Sequence, residues 1–304
     1  MIHNETLPGV PTLDQLRLLQ TVADCGSFSA AARRLNRAQS AISYAIANLE
    51  AQLGLALFTR RHRPELTEAG RAILADARRI ALMMDELRAR AAGLTRGLES
   101  EVALVVDVMF PTARLVAALQ DFATEYPTVA LRLRIESLGA VVQLVLDGAC
   151  RIGVSSWLAT RFPALERRPI GEVELVPVAA PGHPLAAMAA PVPAALLREH
   201  VQLVLTDRSR LSEGEDFAVV ALRTWRLGDL GAKHALLCAG LGWGNMPADM
   251  IAPDLAAGRL VRLDLAAAER PFPLLLIHRT DAPPGPAGAW LAERLAGAGR
   301  MPGR

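Results

Sequence analysis

The spacing of hydrophobic positions near the N-terminus predicts three short helices between residues 13 and 53. Gly26 and Ser27 separate the first helix from the second, and serine is a residue type that caps helix N-termini. Asn36 and Arg37 then form a turn so short that the third helix must cross the second steeply. The segment is therefore predicted to be a compact three-helix unit.

The third of these helices has one apolar face and one polar face. Its apolar stripe consists of Ile42, Ile46, Leu49 and Leu53. The opposite face carries small or hydrogen-bonding side chains, namely Gln39, Ser40, Ser43, Tyr44, Ala47 and Asn48. Such side chains suit the base edges of a DNA major groove, although a polar face that only contacts water would look the same. The small Ala31 and Ala32 allow close packing of the preceding helix, which favours DNA recognition.

Several blocks of sequence together carry a family resemblance. The blocks are Phe28-x-x-Ala31-Ala32-x-x-Leu35, Gln39-x-x-Ile42-Ser43-x-x-Ile46-x-x-Leu49-Glu50, Leu57-Phe58-x-Arg60 and Leu66-Thr67-x-Ala69-Gly70. In this order and spacing they resemble the helix-turn-helix of the LysR-type transcriptional regulators. Three positions depart from the family pattern. Arg37 replaces a more apolar residue, Ala38 replaces a capping Ser or Thr, and Tyr44 replaces a common Arg. These departures leave the target DNA sequence open.

Basic residues are concentrated in and after the helical unit. Between residues 33 and 63 there are six arginines and a single acid, Glu50, although the net charge of the whole chain is only +2. A solvated charged surface has the same composition, so the arginines alone are a weak indication of DNA binding. They support it only together with the predicted helices. Residues 57–64 are predicted to form a short wing whose arginines approach the DNA backbone. The predicted DNA-binding residues are Ser27, Ser29, Arg33, Arg34, Arg37, Gln39, Ser40, Ser43, Tyr44, Asn48, Arg60, Arg61 and Arg63.

A long helix is predicted after the wing, beginning at the capping residue Thr67 and ending near Arg96. Its apolar residues follow a heptad spacing: Ile73, Ala77, Ile80, Met84, Leu87, Ala91 and Leu94. This regular period favours a partner helix, so these residues are predicted to form a dimer seam. Packing on the chain's own second domain is the alternative. In the resembled family the linker helix makes the dimer, and the assembly is usually a tetramer.

From Glu101 onward the pattern changes to alternating strands and helices. The runs EVALVVDV, VALRLRIE and RIGVSSW are predicted strands with helices between them, which implies a parallel sheet covered by helices. A second set of elements follows the extended run PIGEVELVPV, and PFPLLLIHR is predicted to return the chain to the first set. The fold class is therefore α plus α/β. The resemblance implies a winged helix-turn-helix, a long linker helix and a two-lobed, periplasmic-binding-protein-like effector region.

Domain boundaries are expected between these elements. Residues 11–66 are predicted to form the DNA-binding domain, residues 67–97 the dimerising linker helix, and residues 98–304 the effector-binding domain. In that last domain, lobe I is expected to take residues 98–171 and 271–304, and lobe II residues 172–270.

The ends of the predicted strands supply candidate ligand-binding residues, because parallel α/β sheets bind ligands at their carboxyl edge. The resemblance implies that these loops line an effector pocket between the lobes. The predicted effector-binding residues are Asp107, Thr112, Ser155, Ser156, Thr206, Asp207, Trp243 and Asn245. Ordinary capping and turn chemistry is the alternative for each. Asp107 is expected either to accept from backbone amides or to bind a ligand donor, and the resemblance favours the ligand.

Motifs of common enzyme classes are missing from the sequence. The segment GLGWGN, predicted to be a flexible turn, has Asn245 where a dinucleotide fingerprint needs glycine, and Lys233, the only lysine, is in no phosphate-binding loop. The two serines of SSW lack the G-x-S-x-G elbow. His234 lies four residues before Cys238, so the pair is a candidate activated thiol, with a buried core cysteine as the simpler interpretation. An enzyme is not expected.

Composition, cysteine usage and the search for targeting segments indicate the cellular compartment and the partners. An apolar share of 52% supports sizeable cores, and three scattered cysteines indicate a reducing compartment with neither disulfide framework nor metal site. Neither a secretion signal nor a membrane-spanning stretch is found. The expectation is a cytoplasmic regulator of transcription with an unidentified small-molecule effector and no cofactor. Its expected partners are double-stranded DNA, further copies of the chain and RNA polymerase. Two rivals stay open, a solute-binding or carrier module and an enzyme that uses the cleft.

Overall fold

Residues 9–59, 64–188, 190–212, 215, 217–265 and 271–297 are described by a computed structural model of the chain. The chain divides into two units, Met1–Ala92 and Gly93–Arg304. Among the described residues, no helix combines the length and the apolar character needed to cross a membrane.

The first unit is helical. Its helices are α1 (Leu13–Cys25), α2 (Phe28–Leu35), α3 (Gln39–Leu53) and α4 (Glu68–Thr95), the last of which continues past the division between the units. The side chain of Thr12 accepts from the backbone amide of Gln15 at 3.2 Å, and the Gln15 side chain accepts from the Thr12 amide at 2.7 Å. This reciprocal capping box defines the start of α1. Ser27 caps α2 in a similar way, with its hydroxyl accepting from the amide of Ala30 at 3.1 Å.

The core of the first unit is formed by the apolar faces of α1, α2 and α3. Its buried residues are Leu18, Leu19, Val22, Ala31, Ala32, Ile42, Ile46, Leu49, Leu57, Phe58, Leu74 and Ala77. Because Ala31 and Ala32 have almost no side chain, α2 packs closely against its neighbours. The start of α4, through Leu74 and Ala77, belongs to this core and fastens the long helix to the three-helix unit.

The segment between α3 and α4 has the backbone pairing of a short wing. Phe58 and Leu66 form an antiparallel bridge, and Glu50 accepts from the amides of Leu57 and Phe58 at 2.6 and 3.1 Å. A Cβ at Gly70 would collide with the carbonyl oxygen of Leu57, so the glycine lets α4 pass against the first wing strand. The tip of the predicted wing, residues 60–63, lies outside the described residues.

The second unit contains strands and helices in two sets. The strands are β1 (Glu101–Asp107), β2 (Ala130–Glu136), β3 (Ile152–Ser155), β4 (Leu165–Val173), β5 (Leu175–Ala179), β6 (Gln202–Leu205), β7 (Thr224–Leu227), β8 (Trp243–Pro247), β9 (Val261–Arg262) and β10 (Phe272–Arg279). The helices are α5 (Thr112–Glu125), α6 (Gly139–Leu146), α7 (Ala194–Glu199), α8 (Leu230–Cys238), α9 (Ala248–Ala256) and α10 (Pro286–Gly297). Short 3₁₀ helices span Trp157–Arg161 and Pro184–Ala187.

These strands form two five-stranded sheets of the same design. The first has the order β2-β1-β3-β10-β4 and the second the order β7-β6-β8-β5-β9. In each sheet the first three strands are parallel, as the alternating pattern predicts, and the last two are joined by antiparallel pairing. The parallel arrangement predicted for the first three strands is confirmed, and the antiparallel pairing comes from β10 and β5, which enter their sheets from the opposite lobe.

Side chains of β1 alternate between two helical layers. Val102, Leu104 and Val106 belong to the cluster that includes α5 and α10, whereas Ala103 and Val105 belong to the cluster that includes α6. The chain leaves the first sheet at the end of β4, enters the second at β5, and returns with β10. Lobe I is thus built on the first sheet and lobe II on the second, and the two lobes face each other within the second unit.

Candidate nucleic-acid interface and ligand cavity

The outward face of α3 is a continuous polar surface. Ile42, Ile46 and Leu49 are buried, which turns the other side of the helix to solvent. The exposed residues on that side are Gln39, Ser40, Ser43, Tyr44, Ala47 and Asn48. Tyr44 is 76% exposed, an unusual state for a large aromatic ring in a folded protein. The face therefore offers donors, acceptors and one aromatic ring to a partner.

The arginines predicted to contact phosphates differ in whether their charge is already paired within the chain. Arg33 is exposed at the end of α2 and makes no ion pair among the described residues. The guanidinium of Arg34 lies 4.0 Å from Cys25 Sγ. Arg37 donates to both carboxylate oxygens of Asp14, at 2.7 and 3.1 Å, so its charge is already compensated within the chain.

The remaining predicted DNA contacts are partly structural and partly outside the described residues. The hydroxyl of Ser27 is committed to the cap of α2, and Ser29 Oγ lies 3.5 Å from it. Arg60, Arg61 and Arg63 fall within the residues that the structure does not describe.

A cavity of about 470 Å³ lies between the two lobes of the second unit. Its lining residues are Met109, Leu138, Trp157, Leu175, Gln202, Leu203, Val204, Leu205, Phe217, Ala218, Lys233, Asn245, Pro271, Phe272 and Pro273. Both lobes and a segment that crosses between them thus contribute walls. The size and mainly apolar lining are typical of small-molecule sites.

An adjoining cavity of about 530 Å³ is polar. It shares Leu138, Val204, Leu205 and Phe217 with the apolar cavity and adds Thr206, Asp207, Arg208, Ser209, Arg210, Ser212, Glu215 and Arg226. The two cavities therefore share part of their walls next to the loop that follows β6.

Asp207 in this loop ties the two lobes together. Its carboxylate accepts from the hydroxyls of Ser209 and Ser212, at 2.9 and 2.6 Å, and from the amide of Ala140 at 3.1 Å. Ala140 lies in the first turn of α6, whose partial positive charge stabilises a carboxylate. Lobe II is thereby held to a helix N-terminus of lobe I.

Comparisons with known proteins agree with both halves of this architecture. Residues 13–71 match the model of the bacterial regulatory helix-turn-helix protein, lysR family, and residues 95–300 match the LysR substrate binding domain. The HTH-type transcriptional regulator PunR of Escherichia coli (strain K12) is 32% identical over 289 residues, covering 92% of this chain and 91% of PunR. The crystal structure of ArgP from Mycobacterium tuberculosis is similar with a TM-score of 0.53 and 26% identity, covering 96% of this chain and 98% of ArgP.

The chain belongs to the LysR family. It is accordingly a DNA-binding transcriptional regulator with an effector-responsive domain. Its winged helix-turn-helix and its two α/β lobes are the fold that the sequence predicted.

Several predicted effector residues of this LysR-family chain do not line either cavity. Asp107 is only 2% exposed, and its two carboxylate oxygens accept from the amides of Met109 and Leu138 at 2.9 and 3.0 Å. Of the two predicted roles of Asp107, the structure therefore shows the structural one, because backbone amides bind both carboxylate oxygens. Thr112 is exposed at the start of α5 and is not one of the residues that line the two cavities.

Ser155, Ser156 and Trp243, three further predicted effector residues, do not line either cavity. Both serines are fully buried, and their hydroxyls have no hydrogen-bond partner among the described residues. Trp243 is buried in a core cluster of lobe II with Ala179 and Leu185. All three residues lie at or next to the ends of strands, but the protein buries them there.

Three predicted residues do line the cavities: Thr206, Asp207 and Asn245. The segment around Asn245, expected to be a flexible turn, is instead strand β8. A Cβ at Gly244 would lie 2.7 Å from the carbonyl oxygen of Leu203, so glycine is needed for β8 to pass this close to β6. Gly242, whose Cβ would lie 2.6 Å from the carbonyl oxygen of Val201, serves the same close packing.

Other cavity residues escaped the sequence analysis, chiefly Lys233, Trp157 and Phe217. The rings of Trp157 and Phe217 pack against each other in the cavity wall, with centroids 4.9 Å apart in an edge-to-face arrangement. Aromatic residues carry no signal of their own that separates a cavity wall from a core. Lys233 does carry one, because a single lysine within the apolar helix LGAKHALLC is an anomaly of composition.

His234 and Cys238 meet as their spacing suggests, but in an ion-pair cluster. His234 Nε2 lies 2.8 Å from Asp254 Oδ2 and 3.6 Å from Cys238 Sγ. The other Asp254 oxygen accepts from Arg259 at 2.6 Å. Burial and the nearby Asp254 raise the pKa of the Cys238 thiol, which disfavours the thiolate. The three potential ligand atoms lie within 4.8 Å of one another, but Arg259 already neutralises the carboxylate a metal would need.

The predicted dimer seam on α4 is only partly available to a partner. Ala77 is buried and Ile73 is partly buried in the core of the first unit. Those two positions therefore serve the chain's own fold, which corrects their assignment. Ile80, Leu87, Ala91 and Leu94 are exposed, and Met84 is half-buried.

Proposed function

We propose that α3 enters the major groove of DNA and reads base edges with its outward face. The observation that carries the proposal is a set of exposed polar side chains at the N-terminal half of α3, namely Gln39, Ser43 and Tyr44, which make no hydrogen bond to the described residues. Their donors and acceptors match those that bases present in the major groove. Arg33 and Arg34, with Ser29 and the arginines of the wing, are proposed to hold phosphates, which sets position and carries no sequence information.

Each domain has a separate role in this proposal. Residues 11–66 bind DNA, residues 67–97 pair the chain with a second copy, and residues 98–304 bind a small-molecule effector between the lobes. Effector binding favours one arrangement of the lobes over another, and this preference changes DNA binding by linkage. The role is regulatory and not catalytic. It is supported by the family and by a cavity whose polar groups are mostly committed to the protein.

The proposal predicts different losses for side chains of α3 and for Arg33. Gln39→Ala and Ser43→Ala should each weaken binding to the specific operator by about 1–3 kcal/mol and leave binding to random DNA nearly unchanged. Arg33→Ala should weaken both equally and reduce the salt dependence by about one ion. Operator DNA is obtained by footprinting the wild-type protein, and affinities are measured by fluorescence anisotropy over a salt series.

Gln52→Ala is the matched control, because Gln52 lies at the C-terminal end of the same helix. It should bind both DNAs like the wild type. Equal losses on operator and random DNA for the Gln39 and Ser43 variants would contradict base reading by α3.

A further inference from the structure

A single lysine sits in the wall of the apolar cavity between the lobes. Lys233, on α8, is only 4% exposed and is one of the lining residues. Its ammonium donates to the backbone carbonyl of Asn245 at 2.7 Å. An ammonium has three N–H donors, and this is the one hydrogen bond that Nζ makes to the described residues. Two donors therefore remain for something that occupies the cavity.

The charge of Lys233 has no counter-charge in the described part of the protein. Of the carboxylates around the two cavities, Glu215 is paired with Arg161, and Asp207 is occupied by two serines and the Ala140 amide. Burial alone lowers the pKa of Lys233 to about 8, with no carboxylate raising it. Burying a charge without a partner is costly, so an apolar residue at this position would make a more stable lobe.

The rest of the cavity wall indicates what else the ligand must offer. Trp157, Phe217 and Phe272 supply aromatic surface, and Met109 and Leu138 supply aliphatic surface. Asn245 also lines the space, and its side-chain amide makes no hydrogen bond to the described residues. Among the described residues that line the apolar cavity, the polar side chains available to a ligand are thus chiefly one cation and one neutral amide.

We propose that the effector is a small organic carboxylate with an apolar or aromatic body. Its carboxylate binds the ammonium of Lys233 and the side-chain amide of Asn245, and its body fills the space between Trp157, Phe217 and Phe272. A monoanion balances the single charge of Lys233, whereas a phosphate dianion would need the several donors that such groups usually have. The proposal rests on the proposed function only in calling this ligand the effector.

The experiment uses the full-length protein and pairs of probes that differ only in charge. 3-Phenylpropionate is compared with 3-phenylpropanamide, and hexanoate with hexanamide, by isothermal titration and by thermal shift. The wild type should bind each acid at least about tenfold more tightly than its amide. Lys233→Gln, which keeps a donor for the Asn245 carbonyl but has no charge, should bind acid and amide alike.

A second variant and a control separate a binding role from a structural one. Lys233→Met should raise the melting temperature of the ligand-free protein, because it removes a buried charge, and it should also lose the preference for acids. Arg198→Met removes an exposed cation of the same lobe and should change neither property.

The outcomes distinguish this inference from the proposed function. Equal binding of acids and amides by the wild type, acid binding that survives Lys233→Gln, or no binding of either acid would overturn the inference. Operator binding measured on the same samples tests the regulatory function independently. Selective acid binding without an effect on DNA would keep the site and reject only its role as effector.

Discussion

Two buried charged residues, Asp107 and Lys233, differ in how the protein compensates their charges. Asp107 accepts from two backbone amides, of Met109 and Leu138, and so stabilises the turn after β1 and the start of α6. Lys233 has a single carbonyl partner. The first pattern is that of a structural carboxylate, and the second is that of a charge kept for a ligand. Burial is common to both, so the number of partners is what separates them.

Asp107 should make stability depend on pH in acidic solution. Burial raises its pKa from 3.8 to about 6, against the opposing effect of the two amides. Because the folded state then holds the proton more tightly, the contribution of Asp107 to the free energy of unfolding is fully present below about pH 4. It is lost as the pH rises through about 6, by up to roughly 3 kcal/mol.

Urea denaturation of the wild type and Asp107→Asn between about pH 4 and pH 7 measures this contribution. The stability of the wild type relative to the variant should fall between about pH 4 and 6 and then level off. Asp249→Asn, at an exposed position of α9, controls for the general effect of losing a carboxylate. Parallel pH profiles for the wild type and Asp107→Asn would show that Asp107 has an ordinary pKa.

At the scale of an element, α4 has two parts with different partners. Its first turns, through Leu74 and Ala77, complete the core of the first unit. Farther along, Ile80, Leu87 and Leu94 keep the heptad spacing but are exposed, and Leu87 is 58% exposed. A row of large apolar side chains on a solvent-facing helix is costly unless another surface covers it. We therefore expect the seam to begin after Ala77.

Leu87→Asp should break this seam. Burying a carboxylate in a dimer interface costs at least about 2 kcal/mol, which is more than tenfold in the dimer dissociation constant. Sedimentation velocity over a concentration series measures the association state, and circular dichroism checks that the fold is kept. Ala89→Asp places the same charge two residues away, off the heptad stripe, and should leave the assembly intact. If both variants associate like the wild type, the interface lies elsewhere.

At the scale of the whole effector region, three contacts hold the lobes across the cavity. Asp207 binds the α6 amide, Arg161 pairs with Glu215 at 2.6 Å, and Trp157 packs against Phe217. All three join lobe I to the loop that follows β6. Because that loop separates the two cavities, a ligand that occupies either one acts directly on the groups that hold the lobes together.

Asp207→Ala should loosen the lobes without unfolding them. Losing the charge-assisted bond from the Ala140 amide costs about 1.5–3 kcal/mol locally. Hydrogen exchange of the first turn of α6 should therefore accelerate by at least about tenfold. Asp249→Ala, an exposed acid of lobe II, is the control and should leave that exchange unchanged. Unaltered protection of α6 in the Asp207 variant would show that the other two contacts suffice.

Local elements were predictable from the sequence because they depend on neighbouring residues. The four-and-three spacing of Ile42, Ile46 and Leu49 identifies the buried face of α3, and its polar face follows by exclusion. The apolar run EVALVVDV corresponds to β1, Glu101–Asp107. Glycine and capping residues mark the ends of α1 and α2. The family pattern adds the order of the domains, so fold and general function both followed from the chain.

The ligand site could not be predicted in the same way, because its residues come from distant segments. The carboxylate of Asp107 accepts from the amide of Leu138, so it is no longer available to a ligand. Ser155 is fully buried and pairs with Leu275 of the returning strand β10. Lys233 meets Trp157 and Phe272 only after both lobes have formed. Periodicity tells which side of its own element a residue faces. Whether that side meets solvent, a cavity or another strand depends on long-range packing. This packing places Lys233 in the cavity wall and buries Asp107 outside the cavity.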